Sequence, residues 1–300
     1  MPARGFAPMP NDKDTAMSAS EVSLARQNPD LRNFPGLLVL VGAGKMGGAL
    51  LEGWVHFGLD PRKVAVLEPQ PSSQISALAD RGVRLNPDAG TLVDVAAIVL
   101  AVKPQTAAEI LPPLATMIGL STVVVSIMAG RTLKFLSAAL DRPCAVVRAM
   151  PNTPAAIGRG ITVAVPLGAS DAQRELAHRL LSATGAVEWI TDETLMDAVT
   201  AVSGSGPAYV FLLAEALAQA GTAAGLPSQL AEKLARETVA GSGELLHRSP
   251  LDAETLRKNV TSPGGTTAAA LDVLMDKQGL GPLMNRAIAA ATRRSRDLGG

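Results

Sequence analysis

The sequence predicts an α/β fold, with an N-terminal Rossmann-type doubly wound sheet followed by an all-α C-terminal domain. Up to about residue 191, short apolar runs alternate with helix-length segments, a pattern typical of parallel strands joined by right-handed helical crossovers. After that point the segments are long, rich in Ala and Leu, and separated by Gly or Pro, without a recognisable strand. Because alanine-rich helices are commonly buried on several sides, we expect part of the second domain to pack against another copy of itself.

The predicted strands are short apolar runs, and the first of them ends abruptly in Gly42. A continuous apolar run is typical of a strand that is covered on both faces. The helix after Gly42 carries one apolar stripe from Met46 to Phe57 and ends at Gly58. The predicted strands comprise residues 37–41, 64–67, 96–102, 123–127, 145–149, 161–165 and 187–190.

Later helices are indicated by their first residues. Ser170 and Gln173 have the spacing of a capping box, which predicts a helix start in the first domain. In the second domain, helices are predicted to begin near Glu193, Pro207, Ser228, Ala253, Thr266 and Pro282.

Composition excludes several classes of partner. Lys and Arg together number 27, as do Asp and Glu, so no net charge attracts nucleic acid or an anionic membrane surface. Aromatic residues make up only 3%, which leaves few platforms for stacking bases. The single Cys144 lies in an apolar run, and the three histidines are too widely spaced for a helix-borne metal site, so we expect no metal.

The N-terminal residues predict a location for the protein. Residues 1–35 are rich in Pro, Ala and Ser and show no apolar periodicity, which predicts a disordered leader. This leader lacks the apolar segment of a secretory signal, and no later run approaches about 18 uncharged apolar residues. We therefore expect a cytoplasmic protein that does not bind a membrane.

The glycine-rich loop after the first strand predicts a dinucleotide site. Gly42 allows the sharp turn off the strand, Gly44 lets the backbone approach a pyrophosphate, and Gly47 lets the helix pack closely. The helix N-terminus attracts the phosphates. Glu68 follows the next strand, 21 residues after Gly47, and completes the pattern. The loop residues expected to contact NADPH or NADH are Gly42, Ala43, Gly44, Lys45, Met46 and Gly47.

Glu68 bears on the choice between the two cofactors. Its carboxylate could accept both ribose hydroxyls of NADH and would repel the additional phosphate of NADPH. Ser72 and Ser73, however, could bind that phosphate if Glu68 turned away, and no arginine occupies this loop. The acid favours NADH, and both cofactors remain candidates.

Three further segments leave predicted strands at the same carboxyl edge, where doubly wound sheets bind ligands. Residues 101–105 place a proline in the first turn of a helix, where its missing N–H costs nothing. Residues 126–130 end in small residues that permit close approach to a flat ring. In residues 150–154 two prolines stiffen the loop. The expected contacts with the nicotinamide half of the cofactor are Val102, Lys103, Pro104, Met128, Ala129, Gly130 and Asn152.

Residues 261–267 are the most informative segment of the helical half. Two glycines and two threonines stand directly before the apolar pattern of Ala270, Leu271 and Leu274, which predicts a helix start with free N–H groups. Such a start suits a carboxylate, and the hydroxyls add hydrogen bonds. Residues 203–207 form a second small, polar turn. As bare patterns, the two segments also fit an ordinary helix cap and connector.

The motifs at residues 42–47, 101–105, 150–154, 203–209 and 261–267 together resemble the pyrroline-5-carboxylate reductase family. The resemblance extends from about residue 37 to the C-terminus. It implies that NAD(P)H reduces 1-pyrroline-5-carboxylate to L-proline by hydride transfer to the C=N carbon, the last step of proline biosynthesis. It also implies that the helical domain forms an interlocked homodimer, and often a decamer of such dimers.

The same resemblance implies roles for particular residues. The backbone N–H groups of Gly265, Thr266 and Thr267 would hold the substrate carboxylate, and the catalytic Thr267 hydroxyl would contact the ring nitrogen. Asn259 and Ser262 would support this pocket. Lys45 and Thr266 stand where the family commonly has Asn and Ala. We expect little functional change from either, because both positions act mainly through their backbone.

These features divide the chain into the leader, a dinucleotide-binding Rossmann domain at residues 36–191, and a helical substrate-binding and dimerisation domain at residues 192–300. Hydride addition to a protonated imine needs no metal or strong base, but it needs the two reactants held in contact. A hydroxyacid-type dehydrogenase of the same plan is one alternative, but Lys103 lies in the wrong region to be its catalytic lysine. A non-catalytic dinucleotide sensor is another, and it would leave residues 261–267 unexplained.

Overall fold

The computed structural model describes residues 29–299, and it confirms the predicted fold class. One eight-stranded sheet has the order β3-β2-β1-β4-β5-β6-β7-β8, and its pairs are parallel except for antiparallel β6–β7. The sequence missed β3, because a strand of two residues with one exposed side chain leaves no apolar run. The strands are β1 (Leu37–Val41), β2 (Val64–Leu67), β3 (Arg84–Leu85), β4 (Val95–Leu100), β5 (Val123–Ser126), β6 (Ala145–Met150), β7 (Gly160–Leu167) and β8 (Gly185–Trp189).

The helices follow the predicted order. The capping box of Ser170 and Gln173 is present, and the helix after Gly42 ends just before Gly58, as predicted. A π-helical turn, Thr200–Gly204, separates α6 from α7. The helices are α1 (Lys45–His56), α2 (Ser73–Ala77), α3 (Ala107–Leu114), α4 (Leu133–Leu140), α5 (Asp171–Ser182), α6 (Met196–Val199), α7 (Gly206–Ala223), α8 (Ser228–Arg248), α9 (Ala253–Asn259), α10 (Thr266–Leu274) and α11 (Leu280–Gly299).

Helices cover both faces of the central part of the sheet, so β1, β4 and β5 are buried along their whole length. α1 and α5 pack on one face, where the buried indole N–H of Trp54 donates to the Leu180 carbonyl at 2.8 Å. α3 and α4 pack on the other face. Cys144 is half-buried beside this second cluster, and burial raises the pKa of its thiol, in keeping with the predicted role as a small apolar residue.

The predicted leader can be compared with the structure only at residues 29–35, since residues 1–28 lie outside the described part of the chain. Here the structure differs from the prediction. Leu31 and Phe34 are fully buried and belong to the same apolar cluster as Trp54, and the Leu31 N–H donates to the Phe57 carbonyl at 3.1 Å. Two apolar side chains are too few to form a periodic pattern, so their burial against α1 left no signal in the sequence.

The helical half leaves much apolar surface exposed. The last strand of the sheet ends at Trp189, and we propose that the boundary between the two domains lies at residue 191. The run Glu193–Ala223 is long and apolar enough to cross a membrane by length and composition alone, although only 6% of its most apolar window is buried. This run differs from the expectation that no stretch approaches about 18 uncharged apolar residues. Thr, Ser and Gly interrupt its apolar residues, so it is not a continuous apolar run in the sequence. The large exposed apolar side chains of α7 are Val210, Phe211, Leu212, Leu213 and Leu217.

Candidate active site

The glycine-rich loop follows β1, at the point where the strand order reverses between β1 and β4. Doubly wound sheets bind their ligands in a crevice at this point. Gly42 has φ of +90°, and a Cβ there would lie 2.8 Å from the Ala101 carbonyl oxygen. A Cβ on Gly47 would overlap the carbonyl oxygen of Gly42. A Cβ on Gly44, in contrast, would meet no atom within 4 Å. The first and last glycines therefore permit the turn and the packing of α1, and Gly44 presents bare backbone to open space.

Glu68 is held over this loop by backbone donors. Its carboxylate accepts the Ala43 N–H at 2.9 Å and the Gln70 N–H at 3.0 Å. Asn86 fixes the Glu68 backbone from the other side, accepting its N–H at 2.8 Å and donating to its carbonyl at 2.9 Å. The hydroxyl of Ser72 accepts the Ile75 N–H as the N-cap of α2. Glu68 therefore does not turn away from the crevice in this structure.

Arg131 ties together two of the loops at the carboxyl edge. Its guanidinium donates to the Pro104 carbonyl from Nε at 2.9 Å and from Nη2 at 2.7 Å, and it stacks on Phe135 at 4.6 Å. Residues 102–104 are thereby fixed beside residues 128–130. The Met128 side chain is buried in the core, whereas Lys103 and Ala129 are exposed. A ligand at this edge would meet Met128 through its backbone.

The loop at residues 150–154 leads from β6 towards β7 and contacts the connector at residues 203–207. The Asn152 side chain accepts the Ile161 N–H at 3.0 Å, so its amide ties the loop to β7. A Cβ on Gly204 would lie 2.5 Å from the Met150 methyl carbon, so the connector at residues 203–207 touches the same loop. Two motifs that lie far apart in the sequence are thus neighbours.

At the threonine-rich helix start, one of the three backbone N–H groups expected to hold a carboxylate already has a hydrogen-bond partner in the chain. Gly264 has φ of +72° after Pro263, and the Gly265 N–H donates to the Ser262 carbonyl at 3.0 Å, the pattern of a type II turn. The Gly265 N–H, expected to hold a carboxylate, is therefore engaged within the turn. The α10 ladder begins with the Ala269 N–H, so Thr266 and Thr267 have N–H groups without an intrahelical partner.

Side-chain exposure divides the predicted substrate residues. Thr267 is half-buried, whereas Asn259, Ser262 and Thr266 are exposed. Among the described residues, no hydrogen bond or ion pair joins residues 252–279 to the sheet or to helices α1–α5. One chain thus assembles the crevice at the glycine-rich loop but does not bond the threonine-rich segment to it.

Comparisons with known proteins agree with both halves. Residues 37–130 match a family model described as NADP oxidoreductase coenzyme F420-dependent, and residues 193–298 match one described as pyrroline-5-carboxylate reductase dimerisation. A pyrroline-5-carboxylate reductase of Synechocystis is 40% identical over 265 residues, covering 87% of this chain and 98% of that protein. One of Haemophilus influenzae is 36% identical, with 87% and 97% covered.

This chain belongs to the pyrroline-5-carboxylate reductase family. The predicted resemblance is confirmed. Solved structures of pyrroline-5-carboxylate reductases are similar along the whole described chain. The structure from Coxiella burnetii has a TM-score of 0.82 at 31% identity and covers 89% of this chain and 99% of its own. The structure from Plasmodium falciparum, described with NADP bound, has a TM-score of 0.75 at 28% identity, with 90% and 100% covered.

The residues that hold the loops of this pyrroline-5-carboxylate reductase in place were not predicted from the sequence. Arg131, Arg148 and Glu193 are charged residues to which the sequence pattern gives no role, although Arg148 shortly precedes the loop at residues 150–154. Each of the three bonds to a partner distant in sequence. Asn86 had a signal, because an Asn-Pro pair predicts a turn and Asn tolerates its φ of +45°.

The three histidines are distant in sequence but border the same cavity. His56, His178 and His247 line one cavity of about 1180 Å³. Within residues 29–299, no group of three His, Cys, Asp or Glu side chains could hold a metal ion.

Proposed function

We propose that this enzyme reduces 1-pyrroline-5-carboxylate to L-proline with hydride from NADH or NADPH. The observation that carries this proposal is the similarity to pyrroline-5-carboxylate reductases at 36–40% identity over 87% of the chain. An initial-rate assay with pyrroline-5-carboxylate and each cofactor tests it. We expect oxidation of the cofactor and formation of an equal amount of proline. Protein that binds NADH without oxidising it would instead be a dinucleotide sensor.

The residues of the chain supply binding and orientation. Gly44 leaves room for the pyrophosphate, and the N-terminus of α1 favours its charge. A bound nicotinamide supplies the hydride. The free N–H groups of Thr266 and Thr267 bind the substrate carboxylate at the start of α10, where the helix dipole favours an anion. The Thr267 hydroxyl donates to the ring nitrogen as that nitrogen becomes an amine.

Glu68 makes NADH the preferred cofactor in this proposal. Its carboxylate is already positioned by the Ala43 and Gln70 N–H groups, so two ribose hydroxyls can donate to it, whereas a 2′-phosphate meets a like charge. Glu68→Ser should therefore raise kcat/KM for NADPH relative to NADH by about tenfold, or about 1.4 kcal/mol. Glu52→Ser, which removes an exposed acid on α1, is the matched control. An unchanged ratio in Glu68→Ser would remove Glu68 from cofactor selection.

The enzyme is a homo-oligomer, since residues 193–298 match the family's dimerisation model. We propose that the exposed apolar face of α7 packs against a second copy of the chain and not against membrane lipid. We also propose that the dimers assemble into a decamer and that the protein is cytoplasmic. In the dimer, the threonine-rich segment of one copy completes the crevice of the other. The dimer would thereby place the threonine-rich segment beside the glycine-rich loop, two segments that no described hydrogen bond joins within a single chain.

Charge on the α7 face should separate the subunits. Phe211 is 63% exposed in the single chain, so Phe211→Glu is compatible with the fold of each chain but places a carboxylate in the proposed apolar interface. We expect smaller particles by analytical ultracentrifugation and a loss of activity that recovers at high protein concentration. Leu120→Glu, at a fully exposed apolar residue of the Rossmann domain, is the control. Retention of the wild-type mass by Phe211→Glu would place the interface elsewhere.

A further inference from the structure

A single carboxylate joins three segments around the proposed active site. Glu193 Oε1 accepts a hydrogen bond from Arg148 Nη1 at 2.7 Å and another from the Leu133 N–H, also at 2.7 Å. Arg148 lies near the end of β6, Leu133 is the first residue of α4, and Glu193 begins the helical half of the chain. The three segments therefore meet at one oxygen atom.

Burial makes this contact hard to replace. The Arg148 side chain is only 7% exposed and the Glu193 side chain 27%. A buried guanidinium without an acid partner carries a large desolvation penalty. Any movement that separated Arg148 from Glu193 would incur this penalty, so the two side chains stay in contact. The acid also lies at the N-terminus of α4, where the helix dipole favours a negative charge.

Each segment leads directly to a proposed cofactor or substrate contact. Arg148 pairs with Ser126 across β5 and β6 and precedes the loop at residues 150–154. Leu133 lies three residues after Gly130, the end of the loop expected to face the nicotinamide. Glu193 precedes the π-helical turn, whose Gly204 touches Met150. Glu193 is therefore linked by hydrogen bonds and chain connections to both loops and to the connector at residues 203–207.

We infer that Glu193 is a positioning residue that fixes the loops at residues 128–130 and 150–154 relative to the helical domain. This inference rests on the proposed function for the reaction that those loops serve. Holding loops in place matters to rate because hydride transfer requires near-attack geometry, and a displacement of about 1 Å can cost about a hundredfold. Glu193 itself need not touch either reactant.

The test variant is Glu193→Gln, which keeps the size of the side chain and an acceptor for the Leu133 N–H but removes the charge that Arg148 faces. We expect kcat/KM with pyrroline-5-carboxylate to fall by about tenfold or more. We also expect weaker NADH binding in a fluorescence titration. Both are measured at a temperature where circular dichroism shows the variant to be folded. A purely structural contact would lower only the melting temperature.

The matched control is Asp30→Asn. Like Glu193, Asp30 accepts hydrogen bonds from an arginine side chain and from a backbone N–H, both of which here belong to Arg32. This pair is exposed and lies near the C-terminal end of α1. Asp30→Asn should retain wild-type kcat/KM and NADH affinity. Wild-type values in folded Glu193→Gln would overturn the inference.

A second variant decides the question if Glu193→Gln does not fold. Arg148→Lys keeps a positive charge beside Glu193 but loses the planar guanidinium, so weaker NADH binding is expected and unchanged binding would overturn the inference.

The role of Glu193 and the proposed function can be tested separately. If the wild-type enzyme binds NADH but does not reduce pyrroline-5-carboxylate, the proposed function fails, while the NADH titrations still decide the role of Glu193.

Discussion

Replacing Thr267 with alanine is expected to lower the turnover of 1-pyrroline-5-carboxylate by tenfold or more. Thr267 is the second residue of α10 and is half-buried, so its hydroxyl can be held towards a ligand whose carboxylate binds the helix start. In the proposed mechanism the substitution removes one hydrogen bond to the ring nitrogen. A tenfold loss corresponds to about 1.4 kcal/mol in the transition state. Steady-state kcat and KM with saturating NADH measure the effect.

The neighbouring threonine provides the control for this experiment. Thr266 is exposed, and in the proposed mechanism it acts through its backbone N–H, which alanine retains. Thr266→Ala should therefore leave kcat within about twofold of wild type. Alanine also favours the helix slightly more than threonine does. Equal losses in the two variants would show that the helix start, rather than the Thr267 hydroxyl, was disturbed.

The parts of the fold that the sequence predicted are those with local causes. The stripe on α1, the glycine turn at Gly42 and the capping box at Ser170 each depend on residues within one or two helical turns. Strand β3 was missed because two residues pair with β2 only when the rest of the sheet is present. The burial of Leu31 and Phe34 was missed for the same reason, since α1 creates the surface that they cover.

The candidate site likewise contains some parts that the sequence predicts and others that it does not. The glycine-rich loop and the turn before α10 were predictable, because Gly42, Gly47 and Gly264 are required there by backbone geometry. The side chains that hold the loops were not, since Arg148 and Glu193 are 45 residues apart and bond only in the folded chain. A sequence pattern also cannot tell a core helix from one covered by a second copy, which is why the exposed face of α7 was expected only in general terms.

Replacing Gly44 with alanine should separate cofactor binding from folding. The φ and ψ angles of Gly44, −68° and −162°, are open to alanine, and its Cβ would meet no protein atom within 4 Å. Alanine is a poorer N-cap than glycine but restricts the unfolded chain, and these opposing effects are each below about 1 kcal/mol. We therefore expect an unchanged melting temperature and a KM for NADH raised by tenfold or more, because the methyl group occupies the path of the pyrophosphate.

Two other glycines make this prediction specific. Gly47→Ala forces a methyl group against the Gly42 carbonyl and should lower the melting temperature, since overpacking costs about 1–3 kcal/mol. Gly90→Ala makes the same chemical change at an exposed site before β4, at the opposite edge of the sheet, and should alter neither property. If Gly44→Ala bound NADH as tightly as wild type, the pyrophosphate would not approach at Gly44. The loop would then be a structural turn, and cofactor binding would have to be sought elsewhere along the carboxyl edge.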